Sequence, residues 1–239
     1  MHLQSLVFQI VQSGFNPDVV IAWRIQMTAL LTAVTLHEVA HGYAALRMGD
    51  PTARDAGRLT FNPIAHFDIF GALMILIGAP IAWAKPVPVN PTRFDRGRSY
   101  KRSIMIVSIA GIVTNIITAF LAYFLVRILI LTLGSVSTQA LGTAVGILTL
   151  YFQRLALISV FLAVFNLLPV PPLDGFKFFG QFMSARLYNT LLRYQRQIGL
   201  AFLLMIIFGG GVFSRVLNTL ATPILWLIQT PINWLFSFF

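Results

Sequence analysis

Residues 103–126, SIMIVSIAGIVTNIITAFLAYFLV, pass without one charged side chain. As a helix rising about 1.5 Å per residue, the stretch is roughly 36 Å long, enough to cross the ~30 Å hydrocarbon core of a bilayer. Water is absent at that depth, so every main-chain N–H and C=O has to find a partner inside the chain, and a helix does this within one segment. The fold class expected is therefore an all-α polytopic membrane protein, built as a helix bundle.

The span extends from Ser103 to about Leu133, and two others resemble it, from about Val19 to Leu46 and from about Thr143 to Leu168. The tail from Ile198 to Phe239 is apolar around Gly209, Gly210 and Gly211, which reads as one or two helices with a break, with Trp226 and Trp234 suited to an interface. Residues 69–83, IFGALMILIGAPIAW, are apolar but short and hold Gly78 and Pro80, so a re-entrant segment near the active site fits them better than a full crossing. The bundle then has about four to six membrane segments. Composition agrees, because 57% of the residues are hydrophobic and only 10% charged, whereas soluble domains carry about a quarter charged residues.

The net charge of +10 does not indicate a nucleic-acid partner. Most of the 17 Lys and Arg collect in the connections, as they do where cytoplasmic loops orient a bundle. RFDRGRSYKR, 93–102, is the clearest cytoplasmic marker, and uncharged GSVSTQALG, 134–142, suits the opposite face. MHLQSLVFQIVQSG at the N-terminus lacks a basic leader and a cleavage site and reads as an interfacial helix. GRLTFNP, 57–63, alternates and stops at proline, which suits a short β element, while the prolines of KPVPVNP, 85–91, force an extended chain. No internal repeat or polar linker divides the chain. We expect one membrane-embedded domain over 1–239, with a motif-bearing core at 19–185 and a helical tail at 198–239.

The chain has no cysteine, so a metal has to be held by His, Asp or Glu. Its one glutamate, Glu38, stands in TLHEVAHGYAALRMGD, 35–50, next to His37 and three places before His41. On a helix His37 and His41 share a face one turn apart, where both rings reach one ion, and Glu38 flanks that ion. This is the arrangement of a zinc hydrolase, in which imidazoles hold the metal and a carboxylate takes the proton of its water. The plainer alternative is two packed histidines with a capping glutamate. A carboxylate within a membrane helix costs about 2.5 kcal/mol or more unless a metal or a water-filled cavity offsets it, which favours the ion. Ten residues separate His37 from Arg47, which places the site about 15 Å from the cytoplasmic edge.

A third protein ligand is required, and the candidate is Asp174 in FNLLPVPPLDGF, 165–176, where Pro169, Pro171 and Pro172 break the third span. Gly175 is expected to let the chain pass close to the ion. An Asp-Gly turn at a helix end is the other reading of the same residues. The Asn166 amide is placed either to stabilise an oxyanion or to hydrogen-bond a neighbouring helix.

HEVAHGYAALRMGD, GRLTFNPIAHFDIFG, AKPVPVNP and FNLLPVPPLDG together resemble the site-2 proteases, a family of intramembrane zinc metalloproteases. The resemblance covers about residues 36–180 and implies that His37, His41 and Asp174 bind one Zn2+ and that Glu38 is the catalytic base. It further implies that Asn166 and His66 assist near the reacting carbonyl; on chemistry alone His66 is a loop histidine near the membrane surface, with Asp68 as its partner or as a cap. Three departures stand out. AGIVTN, 110–115, replaces AGP before a helical Asn, Phe176 follows LDG where a second Gly is usual, and AWAKP replaces GWAKP. No stretch suits a PDZ or CBS domain, as in a compact member.

The function expected is hydrolysis of a peptide bond within or next to a substrate's transmembrane segment, in a bacterial or archaeal cytoplasmic membrane. The partners are that segment and the lipid bilayer. A metal transporter is the competing class, but it calls for ionisable groups along a path and usually for repeated halves. A protease-like protein that only binds membrane partners is the third.

Overall fold

The structure is a computed structural model in which residues 16–66, 85–133 and 138–238 are described. The expected interfacial helix at 1–14, the re-entrant segment at 69–83 and Asp68 lie outside them.

Helix α1, Pro17–Arg47, starts where Asn16 accepts the N–H of Asp18 at 2.9 Å and Pro17 fixes the first turn. It ends in a Schellman motif, in which the Asp50 N–H reaches the Ala45 carbonyl at 2.9 Å and the Gly49 N–H reaches Leu46 at 3.1 Å. Gly49 makes that turn with φ +99°, a conformation a β-carbon disfavours. A four-residue helix α2, Thr52–Asp55, and a 3-10 turn at Pro63–His66 follow.

The remaining long helices are α3, Tyr100–Leu133, and α4, Gln139–Leu167, the latter capped by the Thr138 side chain. After the proline-rich turn come α5, Asp174–Gly180, and α6, Ala185–Arg193. Helix α7, Gln195–Phe208, and α8, Gly210–Leu235, are separated at Gly209, where the glycine run predicts a break. Helices α1, α3, α4 and α8 are long and apolar enough to cross a membrane, and α6 with α7, bent by 66°, raises the total to as many as five. This is the all-α polytopic bundle expected.

Small side chains let α1, α3 and α4 approach closely. Ala29 and Ala33 of α1 pack with Ala122 of α3 and with Leu155 and Ala156 of α4. Lipid tails are as apolar as any side chain, so such close packing, rather than burial from water, holds membrane helices together. Thr32 and Tyr151 add a 3.0 Å hydrogen bond between α1 and α4. Helix α8 joins through Ala221, Ile228 and Ile232 against Ala119, Val160 and Val164. Val113, Ile117, Phe120, Leu121 and Ile128 remain exposed on one face of α3, as a lipid-facing surface requires.

The short β element expected at 57–63 is not formed, and no strand occurs among the described residues. Residues 58–60 lie in irregular chain held by other means. Arg58 donates to the Lys85 carbonyl at 2.7 Å, and the Lys85 N–H donates to the His66 carbonyl at 3.1 Å. Alternation prepares a segment for pairing, but without a neighbouring ladder it does not make a strand.

Candidate metal centre

His37 and His41 are buried on α1, and Asp174 is buried at the first position of α5. Their ligand atoms converge. His37 Nε2 lies 3.0 Å from His41 Nε2 and 3.2 Å from Asp174 Oδ2, and His41 Nε2 lies 2.9 Å from the same oxygen. Three ligands about 2.0–2.2 Å from a tetrahedral ion stand roughly 3.3 Å apart, close to these separations. Among the described residues these three form the group able to hold a metal.

Hydrogen bonding alone does not explain the cluster. The His41 Nδ1–H donates to the Val107 carbonyl at 2.7 Å, so in its neutral form the ring turns a lone pair toward the Asp174 carboxylate. A cation has to lie between two such atoms. A proton would bridge only two of the three, whereas a metal ion takes all of them. The residues therefore fit the metal that the motifs imply. Burial opposes ionisation of Asp174, which lies outside the candidate spans, but contacts with His37 and His41 and the charge of Lys177 hold its carboxyl well below the usual range. Lys177 donates to Oδ1 at 3.2 Å and leaves Oδ2 for the metal point.

Glu38 is half-buried beside the cluster, and its Oε2 accepts the Val87 N–H at 2.8 Å. The extended piece 85–90 is thereby tied to the glutamate. Its far end is tied by Asp50, a fully buried carboxylate that accepts the Asn90 N–H at 2.6 Å and both the N–H and the hydroxyl of Thr52.

Helix α3 closes the back of the site. A β-carbon on Gly111 would stand 2.5 Å from both His37 Cε1 and His41 Nε2, so only glycine admits the two rings there. The missing side chain also exposes the carbonyl of Val107, one turn earlier, to His41. Asn115, one turn later and fully buried, places its amide Nδ2 3.0 Å from His37 Nδ1.

The other expected residues lie further out. Asn166 shares the cavity wall but donates its amide to the Leu162 carbonyl of its own helix at 2.9 Å. His66 is buried with Nε2 2.8 Å from the Thr60 carbonyl and is not among the described residues lining the cavity. Gly175 does not make room for an ion. A β-carbon there would strike the Leu167 carbonyl and come within 2.6 Å of the Leu168 oxygen, so the glycine lets α5 pack against the end of α4.

The cluster opens onto a cavity of about 670 Å³ whose walls include Glu38, Pro86, Val87, Val89 and Phe176, and also Phe202 and Ile206 of α7. A metal point, an adjacent carboxylate and an extended chain edge on one cavity suit hydrolysis of a polypeptide. The model of peptidase family M50 matches residues 25–209. The chain belongs to peptidase family M50. This bears out the resemblance to the site-2 proteases and makes the apolar bundle a multi-pass membrane protein.

Among curated proteins, this M50 member is 43% identical over 148 residues to the "Putative zinc metalloprotease YwhC" of Bacillus subtilis (strain 168). That match covers 62% of this chain and 64% of the relative. It is 28% identical over 153 residues to the "Putative zinc metalloprotease Rip2" of Mycolicibacterium smegmatis (strain ATCC 700084 / mc(2)155), covering 61% of this chain and 52% of the relative. The chain thus spans between half and two thirds of the length of these relatives. No solved structure matches it.

Proposed function

We propose that this M50 member is an intramembrane zinc metalloprotease that hydrolyses a peptide bond within or next to a transmembrane segment of its substrate, with residues 1–239 acting as one domain. The observation that carries the reading is the convergence of His37 Nε2, His41 Nε2 and Asp174 Oδ2 beside Glu38 at the wall of a cavity. The names of both relatives agree with zinc as the metal.

His37, His41 and Asp174 would hold the zinc, which when bound acidifies a water and polarises the scissile carbonyl. Glu38 has one carboxylate oxygen engaged by Val87, which aims the group and leaves the other oxygen to take the proton of the attacking water. The same carboxyl then returns that proton to the leaving amine. A helical peptide bond is shielded and already hydrogen-bonded, so the substrate has to unwind first. The extended edge 86–90 is suited to hold an unwound segment chiefly through its carbonyls, since Pro86 and Pro88 lack an N–H and those of Val87 and Asn90 are engaged. Asn166, on the cavity wall, would turn from the Leu162 carbonyl to the oxyanion, and His66 would steady the 58–66 segment, whose Arg58 side chain and His66 carbonyl hold Lys85 at the start of this edge.

Arg47 at the end of α1 and the basic run 93–102 support a site nearer the cytoplasmic side of a cytoplasmic membrane. The test is co-expression with candidate single-span membrane proteins. Glu38→Gln is expected to abolish cleavage and retain zinc, and undiminished cleavage by that variant would remove Glu38 from the role of base.

A further inference from the structure

The two ligand histidines are not held alike, and the difference points to a residue outside the metal point. His41 is settled by its surroundings, because a carbonyl only accepts and its Nδ1 must carry the proton. His37 faces the Asn115 side chain instead, and an amide offers either a donor or an acceptor.

With Nδ2 toward the ring, as the atoms are assigned, Asn115 donates to His37 Nδ1 at 3.0 Å. A neutral His37 then carries its proton on Nε2, aimed at His41 Nε2 and Asp174 Oδ2, and cannot ligate through that atom. The same orientation leaves the Asn115 Oδ1 buried with no partner. Amide oxygen and nitrogen have nearly the same shape, so the orientation follows from hydrogen bonding rather than from outline. Turned over, Oδ1 accepts the His37 Nδ1–H, and Nε2 presents a lone pair. One amide atom lacks a described partner either way, so the ring decides the matter.

We propose that Asn115 is a positioning residue whose side-chain oxygen accepts the Nδ1–H of His37, fixing the tautomer and tilt that direct Nε2 to the metal. Val107 and Asn115 then perform one task for the two rings, from positions two turns apart on the face of α3 that Gly111 keeps open. A ligating histidine ordinarily donates its other N–H to such an acceptor, and losing the acceptor costs about 10–100-fold in metal affinity. The inference rests on the zinc reading of the cluster and adds the residue that orients it.

The experiment is chelator competition for zinc on the detergent-purified full chain, comparing wild type, Asn115→Asp and Asn115→Leu. Asp keeps an acceptor at the position, whereas Leu keeps the bulk and removes it. We expect wild type and Asn115→Asp to retain zinc alike and Asn115→Leu to lose about 10–100-fold in affinity. Equal retention by all three, or equal loss in Asp and Leu, overturns the proposal while leaving the zinc site standing. A wild type that binds no zinc overturns the zinc reading itself. Should the variants fail to fold, nitrogen-15 spectra of the zinc-loaded wild type, with His37 assigned by its substitution, decide the question. A protonated Nδ1 and a metal-bound Nε2 support the proposal, and metal bound through Nδ1 overturns it.

Discussion

The main-chain N–H of Val87 donates to Glu38 Oε2 at 2.8 Å, joining the proposed base to the edge proposed to hold substrate. The two lie 49 residues apart, and the chain between them crosses α2 and the turn at Pro63–His66. A hydrogen bond to a charged group contributes about 1.5–3 kcal/mol.

Val87→Pro removes that N–H in a stretch already extended between Pro86 and Pro88. Turnover is expected to fall by roughly tenfold to hundredfold, with bound zinc unchanged, since no ligand is touched. Single-turnover cleavage and metal analysis of one preparation check both parts.

Gly111→Ala places a methyl against both ligand rings. Zinc content is expected to drop well below that of wild type, because a helix backbone cannot retreat as a flexible side chain would. Gly146→Ala is the matched control, since a β-carbon there meets nothing within 4 Å. It should leave zinc unchanged and strengthen α4 by up to about 1 kcal/mol.

Asp50→Ala strips the acceptor from the Asn90 and Thr52 N–H groups at a fully buried position. Each unsatisfied donor costs about 1–3 kcal/mol, so the midpoint of thermal unfolding should fall by several degrees. Activity should fall further than zinc content, because the carboxylate secures the 85–91 piece and not the ligands. Asp50→Asn keeps an acceptor and should do less harm on both counts.

Much of this site was legible because its side chains announce themselves. A glutamate between two histidines inside an apolar run has few uses, and three prolines ahead of Asp174 mark where a span must break. The spans were readable for the same reason, since long apolar runs with almost no charge leave the backbone a helix as its solution within one segment. What stayed hidden was carried by the main chain. The Val87 N–H and the Val107 carbonyl have no signature in the sequence, since every residue but proline has both groups. Gly111 stood in AGIVTN, one turn before Asn115, but as one more small residue in a helix it did not show that two rings pack against it. Gly175 was misread because adjacency to Asp174 in sequence looked like adjacency to the ion, whereas its neighbours are the carbonyls that end α4. The strand expected at 57–63 failed for a related reason, since alternation describes one segment and a ladder needs two.

A single divalent ion gripped by α1 and α5 together has to appear in metal analysis of the purified chain. About one zinc per chain is expected in wild type and in Glu38→Gln, and close to none in His37→Ala, His41→Ala or Asp174→Ala. Zinc absent from a folded wild type, or retained in full after Asp174→Ala, would contradict the account.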